Sequence, residues 1–296
     1  MVKNRRRAAP HQMITNKRTG LSASPHKVVS AEELRRYYET SARYIADMRA
    51  HDPGYFRKYV DLVARYAVGD TLLELGCGAG VSTAQIARRL SRVQCLGSDI
   101  STPAIQHAQW AQRMPNLRFA VADANNLPFA DESFSMVASC DCLEHVPNLE
   151  AALSESMRVT KPGGRIIVKA PNHLSPIYTI GDIMAGRSRF PVTRSWWDNW
   201  RRLSFQIGHY IAALRGRVEF VPRTPDLSDM VQVGDDADAV TDMSTLTVRN
   251  YFRQCCWRIL RLSCPRGSSN AGAVVSALLP HWGSMGVVAE KPARQS

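Results

Sequence analysis

A glycine-rich loop directly follows a short apolar run in the first third of the chain. It reads LLELGCGAG, so that Glu74 is followed by glycines at 76, 78 and 80. Glycine lets the backbone pass close to a ligand, and the N-terminus of a following helix favours a carboxylate. A carboxylate at Glu74 would repel a pyrophosphate but would orient an ammonium group. The loop therefore predicts a ligand that carries an ammonium group, a carboxylate and a ribose.

Two more acidic residues stand at the ends of the next two predicted strands. Asp99 follows the loop by roughly 20 residues, the spacing of a carboxylate that accepts hydrogen bonds from both ribose hydroxyls. Asp123 and the backbone N–H of Ala124 would recognise the edge of an adenine. Parallel strands present their carboxyl ends at one edge of a sheet, where ligands of such folds bind. The three acidic residues therefore predict one nucleoside site.

Other nucleotide-binding loops do not fit these residues. The dinucleotide pattern G-x-G-x-x-G would need glycine at position 81, where the chain has Val81. A Walker A loop would need Gly-Lys-Ser/Thr at its end, and that sequence does not follow the glycines. A nicotinamide dinucleotide and a nucleoside triphosphate are therefore not the expected ligands.

A group of three polar residues follows the fourth predicted strand. Asp141, Glu144 and His145 form the pattern D-x-x-E-H. Histidine titrates near neutral pH and suits a general base that takes the proton of a hydroxyl acceptor. The three side chains would also suit a hard divalent cation, and a third interpretation gives Glu144 and His145 a structural role at a helix start. His173, after the fifth predicted strand, is a second candidate base.

Alternating apolar and helical patterns must position these residues. From residue 71 to residue 171 they predict βαβ units and a parallel sheet. The predicted strands are 71–75, 93–99, 117–123, 133–140 and 164–171, and the predicted helices are 81–90, 103–114 and 149–158. Ser30 with Glu33 forms a capping box that predicts a helix to about Met48, and a second helix is predicted over 53–67.

The C-terminal part returns to the same alternation after a long insertion. A helix is predicted over 245–257, followed by strands over 258–263 and 284–292, the last one antiparallel at the sheet edge. The fold class is α/β with a doubly wound, mostly parallel sheet. The predicted organisation is a basic tail (1–29) and one domain (30–292), made of N-terminal helices (30–68), a cofactor-binding core (69–172), an insertion (173–240) and the last helix and strands (241–292).

Several of these motifs resemble the class I S-adenosylmethionine-dependent methyltransferases, in the type 11 branch that includes quinone-biosynthesis enzymes. The resemblance rests on LLELGCGAG, GSDIS, VADANNLPFADESFSMV, CLEHVPN and KPGGRIIVKAPN. It is strong over residues 55–172 and present in outline over 243–292. It implies a seven-stranded Rossmann-like methyltransferase fold with S-adenosyl-L-methionine as the cofactor across the strand ends.

The resemblance also implies roles for individual residues. The methionine end of the cofactor is expected against Gly76, Cys77, Gly78 and Gly80, with Glu74 beside it. Asp99 is expected at the ribose and Ile100, Asp123 and Ala124 at the adenine, and Cys140 completes the cofactor-binding set. Some methyltransferases of this kind bind magnesium through E-x-x-E-H. Asp141 replaces the first glutamate with a shorter side chain, which favours His145 as a base and no metal ion.

The insertion is the expected substrate-recognition element. Its segment 195–216 has an apolar helical face made of Trp196, Trp200, Leu203, Ile207, Tyr210 and Leu214. Eight arginines and two acidic residues lie between positions 186 and 223, and six aspartates follow over 226–242. We expect a lid helix packed on the sheet. The alternatives are a helix resting on a membrane surface and an arginine-lined pocket for a phosphorylated substrate.

Composition narrows the class of protein. The formal net charge is +12, and the first acidic residue is Glu32, which predicts a solvated basic tail. An organellar transit peptide and a patch for an anionic surface are the alternatives for this tail. The seven cysteines form no C-x-x-C pair, which indicates buried free thiols rather than disulfides. No apolar stretch suits a spanning helix or a secretory signal, so a cytoplasmic protein is expected.

These observations favour O-methylation of a small-molecule acceptor that is lipid-linked or anionic. The first alternative is an RNA methyltransferase, which the basic tail would suit. The D/N-P-P-Y motif of amino-group base methyltransferases is replaced here by CDCLEHVP, so we expect no nucleic-acid partner. The second alternative is a non-catalytic S-adenosylmethionine-binding protein, because binding residues persist when catalysis is lost.

Overall fold

The computed structural model describes residues 29–41, 44, 46, 52–184, 196–227, 238–262 and 285–294. Residues 1–28 of the predicted basic tail lie outside the described residues, as do the middle of the acidic segment (228–237) and the connection 263–284. The boundaries of the predicted tail are therefore an expectation that the structure leaves untested.

The described residues contain a seven-stranded sheet, which confirms the predicted α/β fold. Its strands are β1 (Thr71–Leu75), β2 (Gln94–Asp99), β3 (Leu117–Val121), β4 (Phe134–Cys140), β5 (Thr160–Ala170), β6 (Arg258–Leu262) and β7 (Met285–Glu290). The order across the sheet is β3-β2-β1-β4-β5-β7-β6. Strands β1 to β5 pair in parallel, and β7 is antiparallel to both β5 and β6.

The last strand is antiparallel as predicted, but its expected place at the sheet edge is wrong. β7 lies between β5 and β6, and β6 forms the edge. The burial of the two strands gives the reason. The first five residues of β7 are buried, whereas β6 carries arginines and is buried only in part. An apolar strand is stabilised more by an interior position, where both neighbours cover it.

Helices cover both faces of the sheet. They are α1 (Ala31–Thr40), α2 (Arg57–Arg65), α3 (Val81–Arg89), α4 (Thr102–Ala111), α5 (Leu149–Val159), α6 (Pro176–Met184), α7 (Trp196–Leu214) and α8 (Thr245–Gln254). Ser30 and Glu33 form the predicted capping box at the start of α1, but this helix already ends at Thr40. The second predicted helix begins as a 3-10 turn over Pro53–Phe56 and becomes α-helical at Arg57.

Two buried clusters hold these layers together. One lies between the sheet and the helices α5 and α8, where Leu153 and Phe252 are fully buried. The other lies between the sheet and α2, α3 and α4, where Tyr59 and Ile86 are fully buried. Because β4 is buried along its whole length, the centre of the sheet is rigid, and the loops at its carboxyl edge start from fixed positions.

The insertion contains more regular structure than the sequence indicated. The single helical piece that was expected is two helices, α6 and α7, together with a two-residue ladder between Val221–Pro222 and Thr241–Asp242. This ladder brings the end of the insertion back to the sheet. The backbone N–H of Val240 also donates to the carbonyl of Glu144, which fixes the neighbouring Asp238 near the carboxyl ends of the strands.

The apolar face predicted for α7 is not the face that packs on the protein. Trp200, Ile207 and Leu214 are exposed. The buried face contains Leu203, Gln206, His209 and Ala213. The two polar residues are buried because they find partners: Gln206 donates to the carbonyl of His173, and His209 bonds to Thr247. The side chain of Trp196 lies outside the described residues.

Candidate active site at the carboxyl ends of the strands

A cavity of about 480 Å³ opens at the carboxyl ends of the strands. Such a volume is typical of a site for a small organic ligand. The cavity is lined by most of the residues predicted to bind the cofactor: Gly76, Cys77, Gly78, Asp99, Ile100, Asp123, Ala124 and Cys140. Asp141 and His145 also line it. Helix α1 closes one side with Leu34, Tyr37 and Tyr38, so the N-terminal helices belong to the site.

The glycine loop after β1 has a backbone conformation in which any residue with a Cβ would be strained or would clash with its neighbours. Gly76, Gly78 and Gly80 all have positive φ angles, between 50° and 75°. A Cβ at Gly76 would overlap the Cys142 side chain, and a Cβ at Gly80 would overlap the ring of Phe119. Gly80 does not line the cavity. It begins α3 and lets this helix pack on β3, so its contribution to a ligand site is indirect.

Asp99 is buried and ties the first loop to the second. Its Oδ2 accepts a hydrogen bond of 2.9 Å from the N–H of Gly78, and its Oδ1 accepts one of 2.9 Å from Ser101. Burial raises the pKa of Asp99, and the backbone N–H groups of Ser101, Gly78 and Ile100 oppose this effect. Each carboxylate oxygen can accept a second hydrogen bond, so Asp99 retains capacity for ligand hydroxyls.

Glu74 differs from its predicted position beside the ligand. Its side chain is fully buried and does not line the cavity. Burial raises the pKa of Glu74, and the nearby hydroxyls of Thr83, Ser82 and Tyr59 lower it in part. The residue alternates with Leu75 along β1, so it points to the sheet face covered by α3. A direct contact between Glu74 and an ammonium group is therefore not part of the site described here.

Asp123 stands on the cavity wall in an ordered turn. Its Oδ1 accepts a hydrogen bond of 2.8 Å from the N–H of Asn125, which closes an Asx turn. The N–H of Ala122 donates to the carbonyl of Asp99, so the loops after β2 and β3 are joined by their backbones. Asp99, Asp123 and the glycine loop therefore form one continuous wall.

Asp141 lies in a different arrangement from the one predicted. It has a positive φ of 48°, and its Oδ2 accepts hydrogen bonds from Lys169 at 2.6 Å and from Tyr55 at 2.8 Å. Burial alone lowers the pKa of Lys169, but Cys140 and Asp141 beside it raise that pKa overall. The Lys169 ammonium also lies 5.1 Å from the centre of the Tyr55 ring. This ion pair holds the strained turn after β4.

His145 lies between the carboxylates of Asp238 and Glu144 and not beside Asp141. Its Nδ1 lies 3.5 Å from Asp238 Oδ2, and its Nε2 lies 3.9 Å from Glu144 Oε1. The same Asp238 oxygen accepts a hydrogen bond of 3.0 Å from the hydroxyl of Tyr38. Glu144 is fully buried and does not line the cavity, whereas Asp238 and Tyr38 do. Of the two carboxylates beside His145, the one that lines the cavity therefore comes from the insertion.

The predicted group of Asp141, Glu144 and His145 does not come together as a metal site. Asp141 is bonded to Lys169 and Tyr55, and within the described ranges no three His, Cys, Asp or Glu side chains cluster as metal ligands. His173 is buried away from the cavity, with its Nδ1 3.9 Å from Asp242. His145 is thus the histidine on the cavity wall.

Four residues of the site carried weak signals in the sequence. Lys169 interrupts an apolar strand, and a lysine in such a run marks a buried ion pair. Tyr38 and Tyr55 lie in the N-terminal helical segments, whose distance from the site the sequence does not show. Asp238 is one of six aspartates in an irregular stretch, and nothing in the pattern separates it from the other five.

Comparisons with known proteins cover the part of the chain that carries the glycine loop, Asp99 and Asp123. Residues 73–168 match the family model of the type 11 methyltransferase domain. The family implies S-adenosylmethionine as the cofactor of the domain. Asp99, Asp123 and the glycine loop, which line one wall, fit the ribose, the adenine and the amino-acid part of that molecule in their chemistry.

The relatives share this core but not their whole length. A demethylmenaquinone methyltransferase of Beutenbergia cavernae is 41% identical over 100 residues, which are 34% of this chain and 40% of that protein. A phthiotriol/phenolphthiotriol dimycocerosates methyltransferase of Mycobacterium tuberculosis is 34% identical over 113 residues, 36% of this chain and 42% of that protein. The chain thus spans about two fifths of the curated relatives it matches.

Similarity of structure extends further along the chain. The crystal structure of an S-adenosylmethionine-dependent methyltransferase from Mesorhizobium loti superposes with a TM-score of 0.52 at 18% sequence identity. The match covers 82% of this chain and all of that one. At this identity the comparison establishes the fold alone.

Proposed function

We propose that the protein is an S-adenosylmethionine-dependent methyltransferase that transfers a methyl group to a hydroxyl oxygen of a small-molecule acceptor. The observation that carries this proposal is one cavity lined by the glycine loop and Asp99 on one side and by His145 with Asp238 on another. The first wall suits the cofactor, and the second suits an acceptor whose hydroxyl must lose a proton. A cofactor-binding protein without catalysis would have no need of the second wall.

Bound S-adenosylmethionine supplies an activated methyl group on a sulfonium. The residues proposed to hold it are those on the cavity wall: Gly76, Cys77 and Gly78 at the methionine end, Asp99 at the ribose, and Ile100, Asp123 and Ala124 at the adenine. Cys140, at the end of β4, is proposed to line the centre of the site. Gly80 supports the loop from beneath, and Glu74, which is buried away from the cavity, has no contact with the ligand in this proposal.

The base is proposed to be His145, positioned by Asp238. The acceptor hydroxyl would give its proton to His145 while its oxygen forms the bond to the methyl group. The bond between that methyl group and the sulfonium sulfur would break, which leaves S-adenosylhomocysteine as the second product. Asp238 at 3.5 Å and Glu144 at 3.9 Å stabilise the positive charge that the imidazole then carries. The hydroxyl of Tyr38 donates to Asp238 and keeps that carboxylate facing the histidine. Asp141 is reassigned from a catalytic residue to the support of Tyr55 and of the turn after β4.

The acceptor is proposed to be an apolar, ring-containing molecule that is lipid-linked or anionic. The wall formed by the N-terminal helices is rich in aromatic side chains, namely Tyr37, Tyr38, Tyr44, Tyr55 and Phe56. Aromatic walls bind ring systems by stacking and apolar contact. The curated relatives described above are named for demethylmenaquinone and for phthiotriol or phenolphthiotriol dimycocerosates, which is consistent with such an acceptor.

Substitution of His145 tests the base. With labelled S-adenosylmethionine and a panel of phenols and quinols, His145→Ala should lower turnover about 10²- to 10⁴-fold. The affinity for S-adenosylhomocysteine should stay within about twofold, because His145 acts on the acceptor. Asp238→Asn should cause a smaller loss, and a chelator should change nothing. Full turnover by His145→Ala, or recovery of chelated enzyme by magnesium, would contradict the proposal.

A further inference from the structure

Helix α7 presents a row of apolar side chains to the solvent. The row consists of Trp197, Trp200, Ile207, Ile211 and Leu214, all of them exposed, and we call it the α7 stripe. These positions recur at intervals of three, four and seven residues, so they lie along one face of the helix. Trp197 alone is 69% exposed. A row of large apolar side chains along one exposed helix face marks an interaction surface.

The opposite face of α7 is fixed to the protein, so the stripe is held in place. Gln206 donates to the carbonyl of His173 at 3.0 Å, and His209 bonds to Thr247 at 3.1 Å. Near the end of the helix, Asn250 donates to the carbonyl of Ala213 at 2.7 Å. Because these hydrogen bonds hold the buried face of α7 against the protein, the fold itself turns the stripe toward the solvent.

The charge around the stripe selects one kind of partner. Arg201 and Arg215 are exposed and follow Trp197 and Ile211 by four residues, which places them beside the stripe on the same side of the helix. The surrounding sequence from 186 to 223 holds eight arginines and two acidic residues. A second copy of the chain would bring a like charge to this surface, whereas an anionic bilayer brings the opposite charge.

The position of α7 suits delivery of an acceptor. The bond from Gln206 ties the middle of the helix to His173, two residues beyond Pro171, which lines the cavity. The stripe helix is therefore anchored at the same edge of the sheet as the proposed active site. No helix among the described residues is long and apolar enough to cross a membrane.

We infer that the α7 stripe is a docking surface for an anionic lipid bilayer, with the helix lying in the plane of the interface. Tryptophan favours the interface between headgroups and acyl chains, and the arginines reach the anionic headgroups. This inference stands on the exposed stripe and its charge. It holds or fails independently of the proposed methyl transfer.

Flotation of the full chain with vesicles tests the inference. The vesicles are an equal mixture of phosphatidylcholine and phosphatidylglycerol, with pure phosphatidylcholine for comparison. The protein should float with the anionic vesicles and much less with the neutral ones. The double variant Trp197→Ser/Ile211→Ser should bind at least about tenfold more weakly, because two large apolar side chains no longer enter the interface.

Trp110 provides a matched control, because it is 70% exposed on helix α4, away from the stripe. Trp110→Ser should bind vesicles as the unmodified chain does. All variants should keep their melting temperature and their affinity for S-adenosylhomocysteine, which separates lipid docking from the proposed function. Equal vesicle binding by the double variant would assign attachment to the basic N-terminal residues and overturn the inference. A dimer that the double variant disrupts, without vesicle binding, would also overturn it.

Discussion

Individual residues of the site were predictable where position along a strand fixes their location. Asp99 and Asp123 follow the ends of parallel strands, and His145 follows the fourth strand, so their arrival at one cavity could be read from the sequence. Glu74 also stands near a strand end, but its side chain points beneath the loop. The alternation of side chains along β1 shows that Glu74 and Leu75 face opposite sides of the sheet. It does not show which of the two side chains reaches the cavity.

Burial of Glu74 has a consequence for stability. Burial raises its pKa in the folded protein, so the folded state binds this proton more tightly than the unfolded chain. The contribution of Glu74 to the free energy of unfolding is fully present below about pH 4.3, the pKa of a glutamate in the unfolded chain. This contribution is lost as the pH rises through the higher pKa that Glu74 has in the folded protein. At pH 8, Glu74→Gln should therefore have a melting temperature a few degrees higher than the unmodified chain. A shift of that size corresponds to about 1 kcal/mol in the free energy of unfolding of a domain of this size.

Scanning calorimetry at pH 5 and pH 8 measures this difference. The advantage of Glu74→Gln should shrink at the lower pH, where the carboxyl of the unmodified chain takes up its proton. Asp61→Asn, on the exposed side of α2, serves as the control and should show no such trend. A lower melting temperature of Glu74→Gln at pH 8 would mean that the charged carboxylate stabilises the loop.

At the scale of elements, the sequence predicts that a strand exists better than it predicts which strands lie beside it in the sheet. The five parallel strands are predictable because each has an apolar run, and three of these runs are followed by a helical pattern. The interior place of β7 depends on pairing with β5 across more than a hundred residues, and no local pattern carries that information. The packing face of α7 was predicted from apolar side chains, although Gln206 and His209 have the partners that permit their burial.

The place of β7 between β5 and β6 is reinforced by one carboxylate. Glu290 on β7 bonds to Arg165 on β5 at 3.0 Å and to Arg258 on β6. Burial raises the pKa of Glu290, but the two arginines outweigh it and lower that pKa overall. The stability from Glu290 is thus present above the unfolded pKa and is lost as the pH falls through the lowered one.

Glu290→Gln should lower the free energy of unfolding by about 1 kcal/mol at pH 7, because it removes an ion pair that is only partly shielded from solvent. Urea unfolding at pH 7 and at pH 3 gives the comparison, and the difference between the two proteins should narrow at pH 3. Arg258→Gln, which removes the more exposed partner, should cost less. A difference that grows toward pH 3 would contradict the role of Glu290.

At the scale of the whole molecule, the proposed active site is a product of the complete fold. Tyr38, His145 and Asp238 come from the N-terminal helix, the middle of the chain and the insertion, and they meet within hydrogen-bond or ion-pair distance. The wall proposed to bind the cofactor lies within the segment that the motifs identify, so it could be predicted. The acceptor wall depends on contacts between distant segments, so it could not.

The central claim is that this cavity binds S-adenosylmethionine, and titration calorimetry with S-adenosylhomocysteine tests it most directly. The unmodified chain should bind this molecule and should show no binding of NAD. Asp99→Ala should weaken binding by about 1.5–3 kcal/mol, because hydrogen bonds to a charged carboxylate are lost. Asp99→Asn, which keeps one accepting oxygen, should fall between the two, provided that all three proteins show the same circular dichroism. Undiminished affinity in a folded Asp99→Ala, or no binding by the unmodified chain, would contradict the account.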